Sequence, residues 1–401
     1  MDKHPADLLF SETTRQAPRK EGILPAQEIK ELVENGKIRS SAGISEDQIQ
    51  PASIDLTLGE TAYKIRASFL PSAKSLIDPK VRELKLEEID LSKPSLLRKG
   101  EVYIVRAREH LDLPADVEGK ANPKSTTGRL DIFTRLLTEA QQIFEVVPKG
   151  YKGDLWVEIF PRKFPIVVKA GTKLNQLRLF RGAPQLDDEH LKKKAGRTPL
   201  VYGNGGSQEA VIRQGLRLTI DLRGSVGTIV AYKAKDTNEP IDLAKISAYN
   251  VEDFWDPFYA EQLNGSLVLR PGDFYLLASK EMVGVPPDYA AEMESYDPSI
   301  GEFTVHYAGF FDPGFGFGEK GEIKGTNAVL EVRAHEVPIL LEDGREIGRL
   351  VYHKMAGKPA RVYGAGIGSS YQQQHLSLSK QFKKPTSTKP SPQLQTSAFC
   401  I

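Results

Sequence analysis

Two stretches decide the reading of this chain: RKGEVYIVRAREHLDLPADVEGK (98–120) and RPGDFYLLASKEMVGVPPDYAAE (270–292). Each opens on a basic residue and a Gly turn, runs through an apolar segment, and closes on a Pro-containing turn. Short apolar runs bounded by Gly, Pro, Asn or Asp are the pattern of β-strands joined by tight turns. Gly100 and Gly272 are 172 positions apart, as are Pro114 and Pro286. Working outward, Glu158 in LWVEIF (155–160) and Glu331 in VLEVRA (329–334) keep an offset of 173, and so do Gly171 and Gly344. The openings SIDLTLG (53–59) and TIDLRG (219–224) and the exits TPLVYG (198–203) and KPARVYG (358–364) also correspond. The near-constant offsets predict a duplicated unit.

Further runs agree with an all-β reading: PIVV (165–168), QLRLF (176–180), LRLTIDL (216–222) and GTIVAY (227–232). The exception is PAQEIKELVENG (25–36), where Ile29, Leu32 and Val33 share a helical face and Gly36 supplies a stop. The expected layout is a polar, disordered start over 1–22, a first β-barrel over 23–182, and a linker over 183–212. A second barrel follows over 213–382, then a disordered low-complexity tail over 383–401.

The 401 residues carry 54 basic and 53 acidic side chains. That balance argues against general binding to a nucleic acid polymer. A single cysteine, Cys400, cannot form an internal disulfide and suits a reducing cytoplasm. No apolar run approaches the ~20 residues of a membrane span and no leader is evident, so no membrane partner is expected. One Cys and seven scattered His cannot supply the H-x-E…P-C-x-x-C zinc site of most base deaminases. No P-loop or nucleophile elbow is present.

Three segments carry candidate chemistry. In ANPKSTTGRLDIF (121–133), Lys124, Ser125, Thr126 and Arg129 crowd six positions around Gly128. Two hydroxyls and two cations fit a triphosphate or a developing oxyanion; a polar surface turn fits the residues equally. In VHYAGFFDPGFG (305–316), Asp312-Pro313-Gly314 forms a tight turn. Glu331, in an apolar run beyond it, either faces solvent by strand alternation or is buried to shuttle protons. Alternation favours the solvent-facing reading, and Glu158 poses the same question. The third segment, VYGAGIGSSYQQQH (362–375), reads from composition as a flexible linker.

Together the segments resemble the dCTP deaminase branch of the dUTPase-like superfamily. QPASIDLTLG (50–59) resembles its opening strand, and LDLPADVEGKANPKSTTGR (111–129) its R-S-S-x-x-R signature. VHYAGFFDPGFG is similar to its H-x-T-A-G-x-I-D-P-G-F signature, and VYGAGIGSSYQQQHLSLSK (362–380) to its C-terminal arm. The resemblance implies a mainly β protein of two tandem distorted barrels with a short N-terminal helix, and sites lying between barrels. It matches Ser125 and Arg129 to the catalytic pair, Lys124 to the first, phosphate-facing Arg of the signature, and Thr126 to its second Ser. It offers Glu331 or Glu158 as the catalytic carboxylate. Asp312 matches the sugar contact, Ala308 the base-reading backbone, and Tyr363, Tyr371 and Gln374 the arm. Ser370 stands where the family usually has Lys.

The motifs are divided between the copies. The first reads EAQQIFEVVPKGYKG (139–153) where the D-P-G signature belongs. The second reads ESYDPSIGE (294–302) where Ser and Arg belong, with Asp297 and Gly301 in their places. A composite site is therefore expected, with Lys124, Ser125, Thr126 and Arg129 from the first copy and Asp312, Glu331 and the arm from the second. The implied reaction is hydrolysis of dCTP to dUTP and ammonia. Mg²⁺ accompanies the triphosphate, with no zinc and no organic cofactor. A homotrimer is the expected assembly and dTTP a candidate effector. The alternatives are a dUTP diphosphatase, a bifunctional enzyme giving dUMP, and a nucleotide-binding regulator without catalysis.

Overall fold

The computed structural model describes residues 20–72, 76–203, 206–295, 303–306, 309–364 and 371–384. Ala308, Asp297, Gly301, Ser370 and most of both predicted disordered ends lie outside them.

The architecture is mainly β. In the first half, a continuous antiparallel sheet runs in the order 132–138, 152–161, 102–112, 54–65, 173–181, 118–123 and 146–147. It curls around a core that includes Ile54, Leu56, Val105, Leu136, Val157 and Leu177. The predicted helix forms over Ala26–Glu34 with Ile29 and Leu32 buried, and Gly36 takes the left-handed conformation (φ +67°) that ends it. The second half folds its strands into sheets around a second core, with Leu216, Val230, Leu277, Leu330 and Leu350 inside.

The halves repeat one another's contacts as well as their residues. Gly100 and Gly272 sit at φ +78° and +79°. Val117 N–H donates to Pro114 O, and Tyr289 N–H donates to Pro286 O, each at 3.0 Å. Buried Glu109 accepts from the backbone and hydroxyl of Thr57 at 2.9 and 2.6 Å. Glu281 accepts the same pair of bonds from Thr219 at 2.8 and 2.6 Å.

In the stretch read as a linker over 183–212, the described residues include a helix and a strand. Asp188–Ala195 is a helix capped by Asp187, which accepts from His190 N–H at 2.8 Å. Leu191, Leu200 and Val201 anchor the stretch in the second core. Its Lys and Gly content masked those three apolar contacts.

The halves are packed against each other. Trp255 of the second lies among Phe164, Tyr232, Phe274 and Phe382, ring centroids 5.7–6.3 Å away. Strand Ile166–Val168 pairs in parallel with Ile241–Asp242 across the seam. Buried Arg333 clasps buried Asp131 through both carboxylate oxygens. Among the described residues, no helix is long and apolar enough to cross a membrane.

Because Trp255 fills the joint between halves, Trp255→Ala is expected to cost ~3–5 kcal/mol of unfolding free energy. Urea titration checks it; a loss under ~1 kcal/mol would contradict this role for the joint.

Candidate active site

Pro123 ends a strand, and the chain turns through one helical turn at Ser125–Gly128. Lys124 N–H donates to Leu174 O at 2.9 Å, and the buried Thr127 hydroxyl donates to the same carbonyl at 2.9 Å. These bonds fix the turn on strand Lys173–Arg181, so Ser125, Thr126 and Arg129 stand on the wall of a cavity of about 570 Å³. The second half closes it with Phe310, Asp312, Glu331, Tyr363, Tyr371 and Gln374.

Glu331 lies on strand Thr326–Ala334, opposite Leu276 on one neighbour and His306 on the other. It is only 6% exposed, which overturns the solvent-facing reading from alternation. Strand alternation gives a side chain's face but not what covers that face. Here the cover is the turn from the other half: a Cβ at Gly128 would collide with both Glu331 carboxylate oxygens. Burial pushes the Glu331 carboxyl well above its ordinary range, and the Arg129 charge partly opposes this.

Arg129 is buried, and one of its terminal nitrogens is tied to the 371–382 segment. Its Nη1 donates to Gln374 Oε1 at 3.0 Å, Ser377 O at 2.8 Å and Ser377 Oγ at 2.9 Å. Its guanidinium lies 3.7 Å from the centre of the Tyr371 ring. The described part of the third segment is therefore no free linker. Ser379 Oγ donates to Thr126 O at 2.9 Å, and Gln381 Nε2 to Leu243 O at 3.1 Å. Phe382 is sunk among Tyr249, Phe254 and Trp255.

Asp312 is buried and accepts from Arg178 Nη2 at 3.2 Å; Arg178 Nη1 donates to Ala291 O at 3.0 Å. Desolvation raises the Asp312 carboxyl, which the Arg178 charge opposes. Gly314, at φ +93°, lets the turn approach Val362 closely. Tyr363 N–H then donates to Pro313 O at 2.7 Å and its ring rests on Phe315. Lys124 pairs with Asp55.

Glu158 does not line this cavity. It is buried against Arg135, whose Nε and Nη2 donate to Oε1 at 2.9 and 2.5 Å. Arg135 is itself sandwiched by Phe144 and Phe133. Sequence reasoning missed Lys169, Lys173 and Lys380, which add three ammonium groups to the wall. Lys169 and Lys173 flank Gly171, a residue the repeat had already marked. Among the described residues, no three His, Cys, Asp or Glu side chains gather as a metal-binding group.

Similarity to known proteins follows the same division. Residues 20–183 match the family model of the 2'-deoxycytidine 5'-triphosphate deaminase (DCD) N-terminal domain, and residues 187–382 that of its C-terminal domain. A dCTP deaminase of Natronomonas pharaonis is 36% identical over 132 residues, 32% of this chain and 62% of that protein, so less than two thirds of its length is matched. A "dCTP deaminase, dUMP-forming" of Dictyoglomus thermophilum is 27% identical over 177 residues, 43% of this chain and 86% of that one. The crystal structure of 2'-deoxycytidine 5'-triphosphate deaminase from Agrobacterium tumefaciens is similar to 84% of this chain and 100% of its own, at 45% identity and a TM-score of 0.78. With both halves matched in order and the fold shared with that structure, the chain belongs to the 2'-deoxycytidine 5'-triphosphate deaminase family.

Proposed function

We propose that the protein is a hydrolase of the exocyclic C–N bond of dCTP, giving dUTP and ammonia. The observation that carries this reading is a buried carboxyl of raised proton affinity, Glu331, pressed against the turn that bears Ser125 and Arg129. Water adds to C4 of the cytosine ring. Glu331, as the carboxylate, accepts its proton and delivers it to N3, then takes the proton of the new C4 hydroxyl and passes it to the amine, so that C4=O forms, the C4–N4 bond breaks and ammonia leaves. Ser125 and Arg129 hold the water and balance charge in the tetrahedral intermediate. Lys124, Lys169, Lys173 and Lys380 line the same cavity and favour the triphosphate, which enters with its Mg²⁺. Asp312, held by Arg178, is assigned to the sugar, and the 371–382 segment to the cover over the nucleotide. Glu158, tied to Arg135, is assigned a structural role. The matching contacts in the two halves support an origin by tandem duplication.

A second reading is favoured by the names of relatives such as the Dictyoglomus enzyme: further hydrolysis of dUTP to dUMP and pyrophosphate. Separate assays of ammonia and pyrophosphate on dCTP distinguish them. Ammonia alone is expected from the first reading, and pyrophosphate in equal amount would establish the second. Glu331→Gln should lower kcat ~10²–10⁴-fold while Glu158→Gln retains turnover; the opposite pattern would reverse the assignment.

Gly128→Ala places a methyl group into the Glu331 carboxylate. A fall of roughly 10²-fold in kcat/KM with the fold retained is expected, since small displacements of a reacting group carry large rate losses. Unchanged steady-state kinetics would show that the contact is not needed.

The raised Glu331 carboxyl also links stability to pH. The folded protein keeps a proton there to a higher pH than the unfolded chain, which releases it near pH ~4.3. Stability from this group is complete below that pH and falls as pH rises through the folded value. Glu331→Gln should therefore stabilise the protein more at pH 8 than at pH 4.5. Calorimetry at the two pH values checks the sign.

A further inference from the structure

A second cavity, of about 610 Å³, opens at the seam between the turns of Gly100 and Gly272. It shares no lining residue with the first. Four cationic side chains line it, Lys99, Arg162, Lys163 and Arg333, against two carboxylates, Asp236 and Asp273. Two of the cations are neutralised locally. Lys99 Nζ bonds Asp236 at 2.6 Å, and Arg333 holds Asp131. Lys163 differs: it is 9% exposed, yet among the described residues no carboxylate lies within ion-pairing distance of its ammonium. Burial holds its amine below the usual lysine range, and the more distant charges of Asp236 and Asp273 oppose this. A buried charge is costly unless paired, and the cationic side chains lining this cavity outnumber the carboxylates lining it.

We propose that this seam cavity is a second anion-binding site that takes the phosphate groups of a polyphosphate or nucleotide, with Lys163 as its central charge. Lys99 and Arg162 extend the positive rim. Phe160, half-buried on the wall, offers a ring face to a base.

The site is wired to the first cavity. Arg333 Nη1 donates to Gly272 O at 2.8 Å, while its other nitrogens grip Asp131. Arg162 N–H donates to Asp131 O at 3.1 Å. Arg333 lies two residues beyond Glu331 on one face of the same strand, and Asp131 two residues beyond Arg129. An anion drawing Arg333 away from Asp131 shifts both members of the reacting pair, so its binding lowers turnover. This last step rests on the proposed deaminase reading; the binding itself does not.

Calorimetric titration of the full chain with tripolyphosphate tests the binding without any turnover. Two events per chain are expected, one weakened at least tenfold by Lys163→Gln and the other by Lys124→Gln. Lys99→Gln, at the rim, should weaken the Lys163-dependent event alone. A single event removed by Lys124→Gln, or two events unaffected by Lys163→Gln, would overturn the proposal. Titration with ATP separates the sources. If Phe160→Ala weakens ATP but not tripolyphosphate, the occupant is a nucleotide; if it weakens neither, the site reads phosphate groups alone. Ammonia release should show inhibition by tripolyphosphate that excess dCTP does not relieve and that Lys163→Gln abolishes.

Discussion

The contact between Gly128 and the Glu331 carboxylate holds the site together. It brings a carboxyl from one half against a turn from the other, in a place where no side chain larger than hydrogen fits. Exclusion of water there raises the carboxyl, and the same closeness places Arg129 within electrostatic reach of it. Glycine thus serves here as a spacing element between two domains, with no demand for unusual backbone angles.

That contact survives only if the halves cannot slide. Apolar packing around Trp255 gives the joint its area, and ionic clasps fix its register. Arg333–Asp131 and Arg178–Asp312 both cross the seam, both are buried, and each flanks a member of the site. Buried pairs of this kind add little net stability but penalise every other alignment, because a shifted register leaves a charge unpaired. Their placement beside Glu331, Arg129 and Asp312 ties register to chemistry.

The 371–382 segment shows the same economy. Phe382 anchors its far end in the joint, Ser379 and Gln381 hold it to both halves, and Gln374 and Ser377 reach Arg129. The residues over the cavity are therefore positioned by an aromatic side chain that lies outside it.

The sequence by itself determined the strands, a helix beginning near residue 25 and the repeated turns at Gly100 and Gly272, while Ser125, Arg129, Asp312, Glu331 and the arm were singled out by resemblance to a known family. The strands, helix and turns follow from local rules: alternation, turn chemistry and motif spacing act within a few neighbours. Alternation could not tell which Glu meets the Ser125–Arg129 turn, because Glu158 and Glu331 occupy matching strand positions, opposite Ile104 and Leu276. Tertiary structure alone decided it. Glu158 found Arg135 within its own barrel, while Glu331 met Gly128 across the seam. The order within 183–203 and 371–384 was hidden for the same reason. Polar composition describes a segment's solubility, whereas Leu191, Leu200 and Phe382 are ordered by partners far away in the chain, which composition does not encode.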